Sequence, residues 1–353
     1  MADDSLNERL ANVAEAVPSA NQYLEQVTHL ANRDCLDVLL ACPRCKGPLR
    51  RVGPDKLMCA NRAGCPRAGT IFPRSAGIWR FLLPERAAHY AQFSRDYEHI
   101  RRMEGRGSTD TAYYLSLPYA PAGSPFHSDW RMRARSYRTF LEQILEPRER
   151  NAARPLHILD LGAGNGWLSN RLSQRDHCLT AVDLIVNPLD GLGAYIYYDR
   201  PFLPVQAEFE YLPLAEVQYD LAVFNASLHY AERYAPSLAV ALRVLKPGGG
   251  LVIMDTPFYR RQASGEQMVR ERASQFRRDF GTASDSLMSE NFLTFTRLAE
   301  LGEALDLRWE MVYPHYRLRD TIRRRISGWR AGREPARFPI VWAVKPALTG
   351  ERV

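Results

Sequence analysis

Apolar and polar positions change their rhythm several times along the chain. Residues 1–38 carry a thin helical stripe, Leu6, Leu10, Val13 and Val17, set among polar residues, which predicts a helical arm. Residues 85–150 are rich in aromatics, among them Tyr90, Phe93, Tyr97, Tyr113, Tyr114, Trp130 and Tyr137. They predict a helical cover or linker, interrupted by the Pro/Gly stretch LPYAPAGSPF at 117–126. From 154 the pattern alternates. LHILDLG, CLTAVDL, PVQAEF, YDLAVFN and GLVIMDT are short, nearly unbroken apolar runs, as expected of strands buried on both faces. NGWLSNRLSQRD and SLAVALRVLKPGGG have helical spacing, the second read as a helix closed by its Pro and Gly. A polar, Arg-rich insertion at 257–292 precedes the helical LTFTRLAELGEALDL. Two late apolar strands, RWEMVYPHY and RFPIVWAVK, flank the basic stretch LRDTIRRRISGWRAGREPAR. Such alternation predicts an α/β sheet with helices on both faces, in a domain running from 151 to 353.

The chain's 353 residues leave room for a second, smaller domain. No run of eighteen apolar residues exists, so no membrane helix is expected. The opening MADDSLNERLANVAEAV lacks the basic and apolar regions of a secretory signal, which predicts a cytoplasmic location. The net charge is +7 and only four residues are Lys, so the basic charge is almost all Arg. Arg grips phosphate and carboxylate in a bidentate way, although a GC-rich genome alone gives the same excess. A charge of this size permits a nucleic-acid partner without indicating one.

Residues 39–84 hold four of the six cysteines: Cys42-x2-Cys45, then Cys59 and Cys65. Cys35 and Cys178 stand singly. In a reducing compartment such a cluster suggests metal rather than disulfides. Four thiolates suffice for a closed tetrahedral zinc site, which leaves no open position for substrate and is therefore structural. An Fe–S cluster is the alternative with the same ligands. The Cys59-x5-Cys65 spacing is looser than the usual C-x2-C.

Asp160-Leu-Gly162-Ala-Gly164-Asn-Gly166 follows a strand and opens a helix. Glycines there let the backbone turn sharply and approach a ligand, and the helix start offers free N–H groups. Asp183 ends the next strand, where a carboxylate can bind a ribose diol. QAEFEYLPL (206–214), YDLAVFNASLHY (219–230) and LKPGGGLVIMD (245–255) follow. Together these segments resemble the class I S-adenosylmethionine-dependent methyltransferases, closely over 154–256 and loosely over 293–345. The glycine spacing departs from the G-x-G-x-x-G of dinucleotide-binding dehydrogenases.

The resemblance implies a seven-stranded Rossmann-like sheet whose last hairpin sets an antiparallel strand among parallel ones. It implies that Gly162, Gly164 and Gly166 pass beneath the methionine portion of S-adenosylmethionine, and that Asp160 orients the loop and holds the amino group. It also implies that Asp183 accepts from the ribose hydroxyls, Glu208 and Phe209 meet the adenine, and Asn225 lines the methionine end. Glu208 departs from the Asp more usual at that position. Asp199 and Glu210 are read as solvated surface.

A second resemblance covers the cysteine segment. ACPRCKGPL followed by IFPRSAGIWRFLLP (71–84) is similar to the small zinc-ribbon family that activates RNA and protein methyltransferases, with Trp79 in place of a Pro. A zinc module followed by a methyltransferase also resembles the large-subunit rRNA guanine-N1 methyltransferases, whose chains are shorter.

Methyl transfer needs in-line placement of a nucleophile and, for some acceptors, removal of its proton. His229, in NASLHY, is the candidate base; the alternative is a ring packed beside the cofactor. His127 and Asp129 are further candidates, in a segment expected to form a lid. Tyr113, Tyr114 and Trp130 would line a flat or sugar-like substrate there. His315 and Arg323, Arg324 and Arg325 would hold an anionic acceptor or form a solvated helix face. The cover segments 85–150 and 257–292 favour a small-molecule or saccharide-type acceptor methylated on O or N. The alternatives are RNA, gripped by the zinc ribbon and Arg-rich tail, and a catalytically silent scaffold. A protein partner would dock through the N-terminal arm or the ribbon.

Overall fold

The structure, a computed structural model, describes residues 38–152, 154–314 and 332–346. The predicted arm, Cys35, His315 and the basic run at 323–325 lie outside the described residues.

Four short strands come first: β1 (Leu49–Gly53), β2 (Lys56–Cys59), β3 (Ile71–Ser75) and β4 (Ile78–Arg80). Each pairs antiparallel with the next. Pro84 then opens α1 (Pro84–Met103), at the first-turn position where its missing N–H costs nothing. Three further helices follow, α2 (Thr111–Ser116), α3 (His127–Phe140) and α4 (Glu146–Asn151), in the segment expected to be helical.

The alternating region begins with β5 (His157–Leu161), α5 (Trp167–Ser173), β6 (Cys178–Asp183), β7 (Leu203–Gln206) and β8 (Tyr219–Asn225). Next come α6 (Tyr234–Val244) and β9 (Leu245–Met254). The helix thus stops at Val244, and the Lys246-Pro-Gly segment expected to close it already runs in β9, with Gly248 at φ 77°. The insertion supplies β10 (Phe258–Tyr259) and the long α7 (Gln262–Phe280); β11 (Leu293–Thr294) pairs parallel with β10. The chain continues through α8 (Phe295–Leu305), β12 (Glu310–Val312) and β13 (Ile340–Val344).

From β7 onward the sheet order is β7-β6-β5-β8-β9-β13-β12, with β13 antiparallel to both neighbours. This is the expected seven-stranded α/β sheet with one reversed strand. Its central strands are apolar on both faces and feed two separate cores. Leu159, Leu161, Ala222, Phe224, Leu251 and Ile253 pack on one side. Ile158, Leu221, Val223, Val252 and Met254 pack on the other. The period-two alternation of strand side chains assigns each residue its side.

The cysteine segment is not a detached module. β4 runs parallel to β7, with Trp79 opposite Val205 and Arg80 opposite Gln206, so β1–β4 lengthen the sheet to eleven strands. Phe81 N–H donates to Gln206 O at 2.9 Å and continues the join. Cys42, Leu57, Cys59, Phe72, Trp79 and Phe81 belong to the same core as Leu159, Val205 and Phe224. Burying Leu57, Phe72, Trp79 and Phe81 contributes on the order of 1.5–3 kcal/mol each before entropy is charged.

Candidate active site

The loops following β5, β6, β7 and β8 converge on one cavity, at the carboxyl ends of the parallel strands where open α/β sheets bind ligands. The first loop supplies Gly162 and Gly164, both with positive φ. Gly162 has no room for a side chain, since a Cβ there would lie 2.3 Å from Ser227 Cβ. Gly166 caps α5 at φ 81° but lies behind the cavity wall.

Asp183 faces the cavity from the end of β6. Its Oδ2 accepts from Gly164 N–H and its Oδ1 from Ile185 N–H, both at 2.8 Å. Those bonds lock the carboxylate and tie the first loop to the second. Each oxygen keeps a lone-pair direction for a further donor. Burial pushes the Asp183 carboxyl up to about 6, against the pull of the backbone donors.

Asp160 sits beneath the loop, outside the cavity's lining. Its Oδ2 accepts from Ser169 Oγ at 2.8 Å, and its Oδ1 is buried with no partner among the described residues. Burial, with some help from the Asp183 charge, pushes this carboxyl up to about 7. Its visible role is to hold the start of α5.

Glu208 and Phe209 line the same cavity after β7. Glu208 is buried, and Arg86 of α1 grips it with a fork: Nε reaches Oε1 at 2.9 Å and Oε2 at 2.8 Å, and Nη2 reaches Oε2 at 2.6 Å. Tyr90 OH adds a donor to Oε2 at 2.9 Å. The cover helix is thereby bound to the cavity floor, and Oε1 keeps capacity for another donor. Phe209 packs edge-on against Phe224. Asn225, at the end of β8, presents a buried Oδ1 that has no partner among the described residues.

The cover contributes walls that the sequence did not assign. Tyr90, Phe93 and Tyr97 line the cavity. Their spacing of three and four residues puts them on one face of a helix, a signal the sequence did contain. Trp130, expected against the substrate, lines this first cavity and not the second. Arg101, over the Tyr97 ring, pairs with Asp190 at the far wall.

A second cavity adjoins the first, sharing Arg133, Ala226 and Tyr230 with it. His229 lines this second cavity rather than the first. Its Nδ1 is buried with no partner among the described residues. Burial, then the Arg272 and Arg133 charges, push the imidazole down to about 3, so the ring is neutral at ordinary pH.

The structure does not bring the other expected catalytic groups to either cavity. His127 turns its Nδ1 to the Pro121 carbonyl, 3.1 Å away, inside the Pro/Gly turn that precedes α3. Asp129 pairs with Arg106 at 3.1 Å. Tyr114 is fully buried and stacks on Tyr197, its single O–H shared between the Ser108 and Leu189 carbonyls. Tyr113 packs edge-on against Tyr114 and lines neither cavity. Glu210, expected on solvated surface, instead lines the first cavity and pairs with Arg233. Asp199 is exposed as expected.

In the cysteine segment, the Sγ atoms of Cys42, Cys45, Cys59 and Cys65 all lie within 4.8 Å of one another, and Cys45 and Cys59 are 3.7 Å apart. A zinc ion with Zn–S bonds of about 2.3 Å requires sulfur–sulfur edges of about 3.8 Å, so the donor set and its spacing fit that ion. Cys65, the cysteine with the loose spacing, is in the cluster.

Residues 159–253 match the family model described as a methyltransferase domain. The malonyl-[acyl-carrier protein] O-methyltransferase of Buchnera aphidicola is 32% identical over 100 residues, 28% of this chain and 38% of that protein. Its namesake from Erwinia pyrifoliae is 34% identical over 121 residues, 33% of this chain and 45% of that protein. The chain thus spans less than half the length of these curated relatives. Among solved structures, the 1,6-didemethyltoxoflavin-N1-methyltransferase of Burkholderia thailandensis aligns at 18% identity with a TM-score of 0.38. That alignment covers 64% of this chain and 92% of that one, and is too distant to bear on function. The sheet order and the matched segment together make this a Rossmann-like methyltransferase fold.

Proposed function

We propose that this protein transfers a methyl group from S-adenosylmethionine to an oxygen or nitrogen of a small acceptor that enters the second cavity. The observation that carries the reading is the convergence of Gly162, Gly164, Asp183, Glu208 and Asn225 on one cavity at the strand ends. The acceptors in the cavity suit the cofactor. Asp183 has lone pairs left for a ribose diol, Glu208 Oε1 for an amino group, and Asn225 Oδ1 is a buried acceptor with no partner among the described residues. Bound there, the cofactor supplies an electrophilic methyl on a sulfonium. The chain's own work is to place the nucleophile in line and to exclude water, for which α1 and α3 supply the aromatic wall.

His229 is poorly suited to remove a proton. A general base works best with a pKa near the operating pH, and this ring is held far below it. The relatives' names support an O-methyl acceptor. Calorimetric titration of the full chain with S-adenosylhomocysteine tests the reading. One saturable site, lost in Asp183→Ala, is expected; no binding by the wild type would leave a silent scaffold.

We further propose that the ribbon holds one structural zinc through Cys42, Cys45, Cys59 and Cys65. About one equivalent of zinc per chain is expected on metal analysis, and less than about half an equivalent would count against it.

A further inference from the structure

The second cavity is lined by three guanidinium groups, Arg133, Arg272 and Arg333, against one carboxylate, Asp255. Their partners differ. Arg333 Nε is paired with Glu271 at 2.8 Å. Asp255 accepts from Ser136 Oγ. Arg272, half-buried on α7, bonds Asn291, a neutral partner, and has no acidic one among the described residues. Arg133, half-buried on α3, lies over the Trp130 ring and likewise has no acidic partner among them. Both charges are felt at His229, whose buried, unpartnered Nδ1 lines the same space. Two half-buried cations that have no acidic partner among the described residues, beside a neutral imidazole, are costly unless an anion joins them.

We propose that the second cavity anchors the acceptor by an oxyanion, a phosphate or a carboxylate, held between Arg272 and Arg133. This rests on the methyltransferase reading of the first cavity and adds the chemical class of the acceptor. The anchored group is not the one that reacts. An anionic nucleophile loses its charge as it attacks a sulfonium, so a guanidinium clamp on the reacting atom would stabilise the ground state more than the transition state. A clamp on a group that keeps its charge stabilises both equally and contributes binding and orientation. The reacting atom then belongs at the junction of the cavities, beside Ala226 and Tyr230, and the oxyanion lies deeper, toward α7.

The test uses the full chain saturated with S-adenosylhomocysteine, titrated in separate arms with inorganic phosphate and with succinate. Saturable binding of at least one probe is expected, and the stronger arm tells phosphate from carboxylate. Arg272→Gln should weaken that binding by about tenfold, and Arg272→Lys should retain most of it. Arg272 lines only the second cavity, so the S-adenosylhomocysteine titration of the same variants reports the first cavity separately, and thermal melts report folding. Absence of binding in both arms, or binding untouched in a folded Arg272→Gln, overturns the proposal while leaving methyl transfer standing. Failure of S-adenosylhomocysteine itself to bind the wild type overturns both.

Discussion

Replacing Gly162 and Gly164 singly by Ala separates two demands on one loop. Both glycines have positive φ, 73° and 57°, so either Ala carries left-handed strain of about 1–2 kcal/mol. Their surroundings differ. At Gly164 the nearest atom to a new Cβ is the Asp190 carbonyl oxygen at 3.9 Å, ordinary contact. At Gly162 the new Cβ falls 2.3 Å from Ser227 Cβ, 2.9 Å from its Oγ and 3.3 Å from Phe209 Cζ. Ser227 cannot give way freely, because it is buried and its hydroxyl donates to the Leu161 carbonyl. Overpacking of that kind adds about 1–3 kcal/mol. Gly162→Ala should therefore cost about 2–5 kcal/mol and Gly164→Ala about 1–2 kcal/mol. Thermal unfolding reads the difference: at roughly 2–4 °C per kcal/mol, the extra 1–3 kcal/mol should make Gly162→Ala melt at least about 2 °C below Gly164→Ala. Both glycines line the cavity, so both variants should lose S-adenosylhomocysteine affinity, but only Gly164→Ala should do so with little loss of stability. Equal melting temperatures, or a milder effect at Gly162, would refute the reasoning.

Glu208→Gln leaves the Arg86 guanidinium without its main counter-charge. Breaking a buried pair costs about 3–5 kcal/mol; Arg86 is partly exposed and keeps Glu232 at 3.2 Å, so about 3 kcal/mol is expected from urea unfolding. An unchanged midpoint would show that the fork contributes nothing. The Asp183 carboxyl is raised to about 6 from its ordinary 3.8. A raised acid favours the folded state at low pH: its contribution to stability is complete below about 3.8 and lost as the pH rises through about 6. Ligand binding runs the other way, because the ribose needs the ionised form. Affinity for S-adenosylhomocysteine should fall as the pH drops through 6, and Asp183→Asn should abolish that dependence; a flat profile in the wild type would contradict it.

Much of the sheet was legible. YDLAVFN is β8 to the residue, and Asp183, Glu208 and Asn225 reach the cavity because short apolar strands end where their polar residues begin. What stayed hidden depends on pairings between distant segments. Nothing local in IWR says that Trp79 lies opposite Val205. Nothing in PERAAHY says that Arg86 will close on a carboxylate 122 positions later. His229, the candidate base, lies in the neighbouring cavity, beside arginines from two cover helices. His127 is satisfied locally by the Pro121 carbonyl, as polar residues near a turn commonly are, whereas Asp129 is drawn to Arg106 from the preceding segment.

The join between β4 and β7 has a further consequence, for solubility. A sheet ending at β7 would present a row of unpaired backbone N–H and C=O groups, a template for strands of other chains. Here that row is covered, and the sheet's new outer strand at this end, β1, reads Leu-Arg-Arg-Val-Gly with both arginines exposed. Cationic side chains on an outer strand discourage further pairing. Loosening the four-cysteine cluster would therefore do more than unfold a small appendage: it would bare the flank of the whole methyltransferase sheet and invite aggregation.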